Sequence, residues 1–214
     1  MKKHLRLTSL LATAVVGAAL VAPGAAHAQT LISGFEGDLS TSLGPSWTSG
    51  LTKSFGASGA TQGSQAVALT HGTGWTQDFS LDGGPALAAL IAGSATFEVD
   101  VTTPATTAWR QMFVVMQGAG QGWSQHQFDL AAGATSTAVL NLVSTGIRAN
   151  AAAGDKGWWQ IYLIFQGGDS PASPQVVTTL DNVRVTPVPE PSSAAVGAAA
   201  LAAVFAAGRR WRRS

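Results

Sequence analysis

Between residues 31 and 185, apolar residues recur at every second position in short runs, each cut off by Gly, Pro, Ser or Thr. This pattern constrains the fold more than any other feature. Side chains two apart share one face of a strand, whereas a helix needs a period near 3.6. The runs predict strands at 31–36, 47–55, 65–71, 74–79, 95–102, 109–117, 123–130, 137–143, 158–166 and 177–185, with a short helical stretch over 85–91. Short strands at this spacing predict an all-β fold, an antiparallel β-sandwich of jelly-roll type. The absence of a fixed-period repeat argues against a solenoid or propeller.

Charge divides the chain into three. The 214 residues hold 12 Lys+Arg and 11 Asp+Glu, but the signs are segregated. Residues 1–28 carry three bases, residues 188–214 carry four bases against Glu190, and residues 29–187 carry five bases against ten acids. Two ends of +3 therefore flank a body of −5, which predicts three segments with separate tasks. A body of this length can bury a core without staples. The lack of cysteine excludes disulfide scaffolds, thiolate metal sites and cysteine nucleophiles. A Lys-poor acidic body argues against nucleic acid as a partner, because phosphate binding needs clustered Lys and Arg.

Residues 1–28 have the order of a secretory signal: Lys2, Lys3 and Arg6, an apolar stretch from Leu7 to Ala22, a Pro23-Gly24 break, then Ala26-His27-Ala28. The small residues at Ala26 and Ala28 fit cleavage by signal peptidase, which would leave Gln29 as the first residue. At the other end, Val188-Pro189-Glu190-Pro191 precedes an uncharged stretch at about 192–207 and the cluster Arg209-Arg210-Trp211-Arg212-Arg213. Sixteen residues at 1.5 Å rise give about 24 Å of helix, and snorkelling arginines with Trp211 could extend this to a transmembrane span. The basic cluster would stay on the cytoplasmic side.

That tripartite end resembles the PEP-CTERM sorting signal of Gram-negative bacteria that secrete exopolysaccharide. The resemblance implies recognition by the membrane protease-transpeptidase exosortase, with Pro189, Glu190 and Pro191 as the recognition residues. It also implies delivery to the cell envelope, the cell surface or the extracellular matrix. Within the body, Ile32-Ser33-Gly34-Phe35-Glu36-Gly37 and Thr179-Leu180-Asp181-Asn182-Val183-Arg184-Val185 resemble the first and last strands of jelly-roll carbohydrate-binding modules. The resemblance implies that these strands are neighbours, with Glu36 and Asp181 in the places that often hold a structural Ca²⁺.

Catalytic motifs are sparse. The body's histidines, His71 and His126, accompany no G-x-S-x-G elbow and no H-E-x-x-H pair. Glu98-Val99-Asp100 resembles the first half of the E-x-D-x-x-E strand of laminarinase-type glycanases, but the third acid would fall at Thr103. Without it the acid and nucleophile pair of retaining hydrolysis is incomplete. Glu98 and Asp100 are therefore expected to form a solvated strand face, and the protein is expected not to be an enzyme.

A recurring Trp-x-Gln stands out: Trp75-Gln77, Trp109-Gln111, Trp123-Gln125 and Trp158-Gln160. Seven Trp and twelve Gln in 214 residues give less than one such pair by composition alone. The spacing puts indole and amide on one strand face, and Tyr162 extends the last pair. Flat rings that stack on apolar C–H surfaces, beside amides that both donate and accept, suit a neutral sugar. The expected protein is an exported β-sandwich that binds neutral glycan, with exopolysaccharide as a candidate partner. The alternatives are a structural matrix protein without a ligand and a glycoside hydrolase.

Overall fold

The computed structural model describes residues 28–39, 41–43, 46–49, 51–71, 77–105, 110–154, 157–167 and 176–189. Residues 28–188 form one compact unit. Its strands are β1 (Thr30–Ser33), β2 (Ser46–Ser49), β3 (Leu51–Gly56), β4 (Ala66–His71), β5 (Gln77–Asp82), β6 (Ser94–Thr102), β7 (Arg110–Gly118), β8 (Ser124–Asp129), β9 (Thr135–Asn141), β10 (Trp159–Gly167) and β11 (Val176–Pro187). Among the described residues the helices are α1 (Gly84–Ala92) and α2 (Ile147–Ala153). Sheet I has the order β3-β4-β11-β6-β9, with β1 also paired to β11, and sheet II has the order β2-β5-β10-β7-β8. Every pairing is antiparallel.

The alternation seen in the sequence becomes the core. Sheet I contributes Val67, Leu69, Phe97, Val99, Val101 and Leu180, and sheet II contributes Phe79, Met112, Val114, Ile161 and Leu163. Each such side chain contributes about 1.5–3 kcal/mol on burial. Trp159 is fully buried among them. Its ring lies so close to Gly118 that a Cβ there would come within 2.5 Å of it, so β7 can pass over the indole only with glycine at 118.

Two features differ from the sequence expectation. The run predicted as one strand over 47–55 is split into β2 and β3, which belong to different sheets. A strand that changes sheets at a sandwich corner keeps its alternation, so periodicity does not reveal the break. Helix α2 falls where no element was expected. It follows Gly146, which holds φ 76°, and buries Ile147 and Ala151, four residues apart and hence on one face. Helix α1 is expected and found: Pro85 stands in its first turn and Leu87, Ala88 and Ile91 are buried.

Candidate functional site: the two outer faces

On β10, Trp159, Ile161, Leu163 and Phe165 enter the core, so Gln160, Tyr162, Ile164 and Gln166 stand on the outer face. The ladder to β7 sets Gln117 opposite Gln160, Val115 opposite Tyr162, Phe113 opposite Ile164 and Gln111 opposite Gln166. Strand β8 adds Gln125 beside Val115 and Gln127 beside Phe113. The amides meet in pairs. Gln111 Nε2 donates to Gln166 Oε1 at 2.9 Å, and Gln117 Nε2 donates to Gln160 Oε1 at 3.0 Å and to the Tyr162 hydroxyl at 3.2 Å. The Tyr162 hydroxyl donates in turn to Gln160 Oε1 at 2.8 Å. Phe113, Val115 and Ile164 form a small buried apolar cluster on this face, with Tyr162 packed on it.

Trp123 lies over one end of the arrangement. Its ring stacks on Tyr162 with centroids 5.9 Å apart and planes inclined by 30°, and its indole N–H donates to Gln125 Oε1 at 3.2 Å. The residue is still 57% exposed. One ring face is thus held by Tyr162, the N–H is satisfied, and the remaining apolar surface is open. Trp158, next to the buried Trp159, is 47% exposed. Asp82 lies opposite Gln160 in the ladder with β5.

Of the residues singled out from sequence, Gln111, Trp123, Gln125, Gln160 and Tyr162 are brought to this one face, with Trp158 at its end. Gln77 is on sheet II as well, paired with Phe165 of β10. Trp75 and Trp109 lie outside the described residues, as do Glu190 and Pro191; Pro189 is exposed. The apolar cluster was not singled out. Its signal is the unbroken run Met112-Phe113-Val114-Val115-Met116, which marks a strand covered on both faces.

The outer face of sheet I is different. Glu98 and Asp100, expected to be solvated, are 9% and 7% exposed. Arg184 of β11, opposite Glu98 in the ladder, binds both: its Nη2 lies 3.0 Å from Glu98 Oε2 and its Nη1 3.1 Å from Asp100 Oδ1. Thr96 and Thr186 donate to Glu98, while Thr61, Thr137 and Asn182 donate to Asp100. Burial pushes the Glu98 carboxyl up, but the Thr96 and Thr186 hydroxyls and the Arg184 charge together outweigh it and leave its pKa below the ordinary value. Asp100 follows the same balance: burial raises it, and bonds from Thr61, Asn182, Thr137 and Arg184 bring it below the ordinary value.

Glu36 and Asp181 both grip the β3–β4 connection. Asp181 Oδ2 accepts from the backbone N–H groups of Thr61 and Gln62, and its Oδ1 from that of Asn182. Glu36 accepts from the N–H groups of Ser64 and Gln65 and from the Ser64 hydroxyl. These bonds, led by the Ser64 hydroxyl, lower the Glu36 pKa. Gly63 has φ 68°, and a Cβ there would collide with the Glu36 carboxylate. Calcium takes six to eight oxygens at 2.3–2.6 Å. Here the loop turns the N–H groups of Thr61, Gln62, Ser64 and Gln65 toward the two carboxylates, so the chain itself meets much of their charge. Among the described residues, no group of three or more His, Cys, Asp or Glu is disposed to hold a metal.

No family model and no curated protein matches the sequence. Solved structures similar to this chain include TmCBM61 in complex with β-1,4-galactotriose, at 13% identity over 74% of this chain and 99% of that one, TM-score 0.49. Another is the family 11 carbohydrate-binding module of the cellulosomal cellulase Lic26A-Cel5E of Clostridium thermocellum, at 10% identity over 78% and 98%, TM-score 0.49. A third is an exo-β-agarase, at 16% identity over 75% of this chain and 25% of that one, TM-score 0.50. At such identities a likeness shows the fold alone. The chain is an all-β protein of two antiparallel sheets.

Proposed function

We propose that the outer face of sheet II binds a neutral glycan and that the protein is a non-catalytic binding module. The observation that carries this reading is the fixed, half-open indole of Trp123, seated on Tyr162 and pinned by Gln125, beside the Gln117–Gln160–Tyr162 network. A pre-oriented aromatic surface loses little freedom on binding. Gln160 Nε2 and Gln117 Oε1 make no hydrogen bond with the described residues, so donor and acceptor are both available to sugar hydroxyls. Asp82 beside Gln160 disfavours uronate or sulfated chains. A hydrolytic role for Glu98 and Asp100 is disfavoured, because an acid catalyst must hold a proton near neutral pH and both carboxyls are shifted the other way.

Export by a signal peptide and sorting through Pro189-Glu190-Pro191, with exosortase as the processing partner and residues about 192–207 as a membrane helix, form the second part of this proposal. It rests on the sequence order of the two ends. No helix among the described residues is long and apolar enough to cross a membrane, and residues 190–214 lie outside them. Replacing Pro189-Glu190-Pro191 by alanines should leave an unprocessed, membrane-retained chain; normal processing would contradict the sorting role. For the binding role, affinity electrophoresis should show retardation by at least one neutral polysaccharide and none by a polyuronate. Equal migration in every gel would contradict it.

A further inference from the structure

The exposed tryptophans of the sheet II face stand at one end, while on edge strand β8 Gln125, Gln127 and Asp129 are exposed along its whole length. Toward the centre and the opposite end, Ser80, Gln111, Phe113, Val115 and Ile164 are all buried, whereas Trp123 and Trp158 are about half exposed. The register fixes where these two stand. Met116 pairs with Ser124, so Trp123 falls opposite Gln117. Gly118 pairs with Trp159, and the N–H of Ala119 donates to Trp158 O at 3.1 Å, so Trp158 falls opposite Ala119. The two tryptophans are therefore two strand spacings apart across β8, β7 and β10, and two residues apart along them. That places their Cα atoms on the order of 12 Å from each other. Gln117 and Gln160 lie between them.

The turn that connects the two positions is tied down. Gln121 N–H donates to Gly118 O, Asn150 Nδ2 of α2 donates to Gln121 Oε1 at 3.0 Å, and the Ala119 bond joins the turn to Trp158 itself. Two exposed indoles on a braced frame, with Gln160 Nε2 and Gln117 Oε1 unbonded among the described residues between them, form one elongated site. The Trp123 ring leans inward onto Tyr162, so the Cα separation is the upper limit of the span, which one pyranose ring does not fill and up to about three linked rings do.

We propose that Trp123 and Trp158 are the two ends of a single subsite track that runs obliquely across β8, β7 and β10 and takes a stretch of about three neutral sugar residues, with Gln117 and Gln160 reading the hydroxyls between. This rests on the glycan-binding reading above and adds to it a length, a direction and a second anchor. Beyond Trp123 lies the free edge of β8, and the ladder of β10 with β5 has already ended at Gln160 and Asp82 before Trp158 is reached, so residues beyond the third gain no contact.

The test is calorimetric titration of the chain with β-1,4-galacto-, mixed-linkage gluco- and xylo-oligosaccharides of one to six units. For whichever series binds, affinity should climb to about three units and then stay within twofold up to six. Trp158→Ala should weaken the trisaccharide about tenfold, the size of one lost aromatic anchor, to the level of the disaccharide on the unaltered protein. Its melting temperature should not change. Affinity that keeps rising through six units, or a trisaccharide indifferent to Trp158→Ala while Trp123→Ala abolishes binding, would overturn the track and leave glycan binding intact. Failure of all three series and of polysaccharide retardation would overturn the glycan reading itself.

Discussion

The two outer faces of the sandwich are built on the same backbone geometry and are put to opposite uses. On sheet I, Thr61 of the β3–β4 connection binds Asp100 and Asp181, Arg184 with Thr96 and Thr186 binds Glu98, and each of these carboxylates is met by a guanidinium, a hydroxyl or an N–H group. On sheet II, the polar groups between the exposed tryptophans are neutral amides that are only partly paired, with Asp82 and Asp129 at the margins of the face, and the Trp123 ring is left half open. A closed charged network holds shape, since an unpaired buried charge is costly. An open neutral surface with aromatic anchors has interactions still to make. The contrast teaches that charge in this domain belongs to its architecture and amides and indoles to its recognition.

The largest expected effect comes from breaking the closed face. Arg184→Ala leaves Glu98 and Asp100 buried without their cation, a loss of about 3–5 kcal/mol, and should lower the melting temperature by roughly 10 °C. An unchanged thermal unfolding curve would erase the distinction between the faces. Next is Asp181→Ala, which orphans the N–H groups of Thr61 and Gln62 at a cost of about 1–3 kcal/mol. Amide exchange at those two residues should accelerate ahead of the core strands. Exchange unchanged at Thr61 and Gln62 would show that Asp181 does not hold the loop.

Acid probes the same face more gently. The folded pKa values of Glu98 and Asp100 lie below their unfolded values. Their contribution is therefore complete above the ordinary carboxylate range, near pH 4, and is lost as pH falls through the lowered folded values. Melting temperature should hold from pH 7 to about 5 and then fall, and the fall should be shallower in Arg184→Ala. A decline beginning near neutrality would point to other groups. The smallest effect is expected from chelation: because the Glu36 and Asp181 carboxylates are occupied by N–H donors, EDTA and added calcium should each leave the melting temperature within about 1 °C. A calcium-dependent rise of several degrees would show that the loop rearranges around the ion.

Much of sheet II was legible in the sequence because its logic is local. Trp123 and Gln125, or Gln160 and Tyr162, are two residues apart, and the pleat alone places them on one face. The pairing of β5 with β10, which sets Gln77 against Phe165, could not be read the same way, since the two strands are far apart in sequence. Sheet I was opaque for the converse reason. Glu98 and Asp100 look like solvated alternation, and acids of this kind are rarely buried unless paired. Their partner Arg184 is 86 and 84 residues away, and the β3–β4 connection, whose Thr61 binds Asp100, is a polar, Gly-containing stretch without periodicity. Likewise, β2 and β3 read as one run because a change of sheet leaves alternation intact.

The central claim, that recognition belongs to the open face, is tested most directly by hydrogen exchange with and without a saturating neutral polysaccharide that retards the chain. The expected result is slowed exchange confined to the segments around residues 117–125 and 158–162, abolished by Trp123→Ala, with residues 57–65 and β6 unaffected. Protection centred on the sheet I face, or bound polysaccharide that leaves 117–125 and 158–162 exchanging as before, would contradict it.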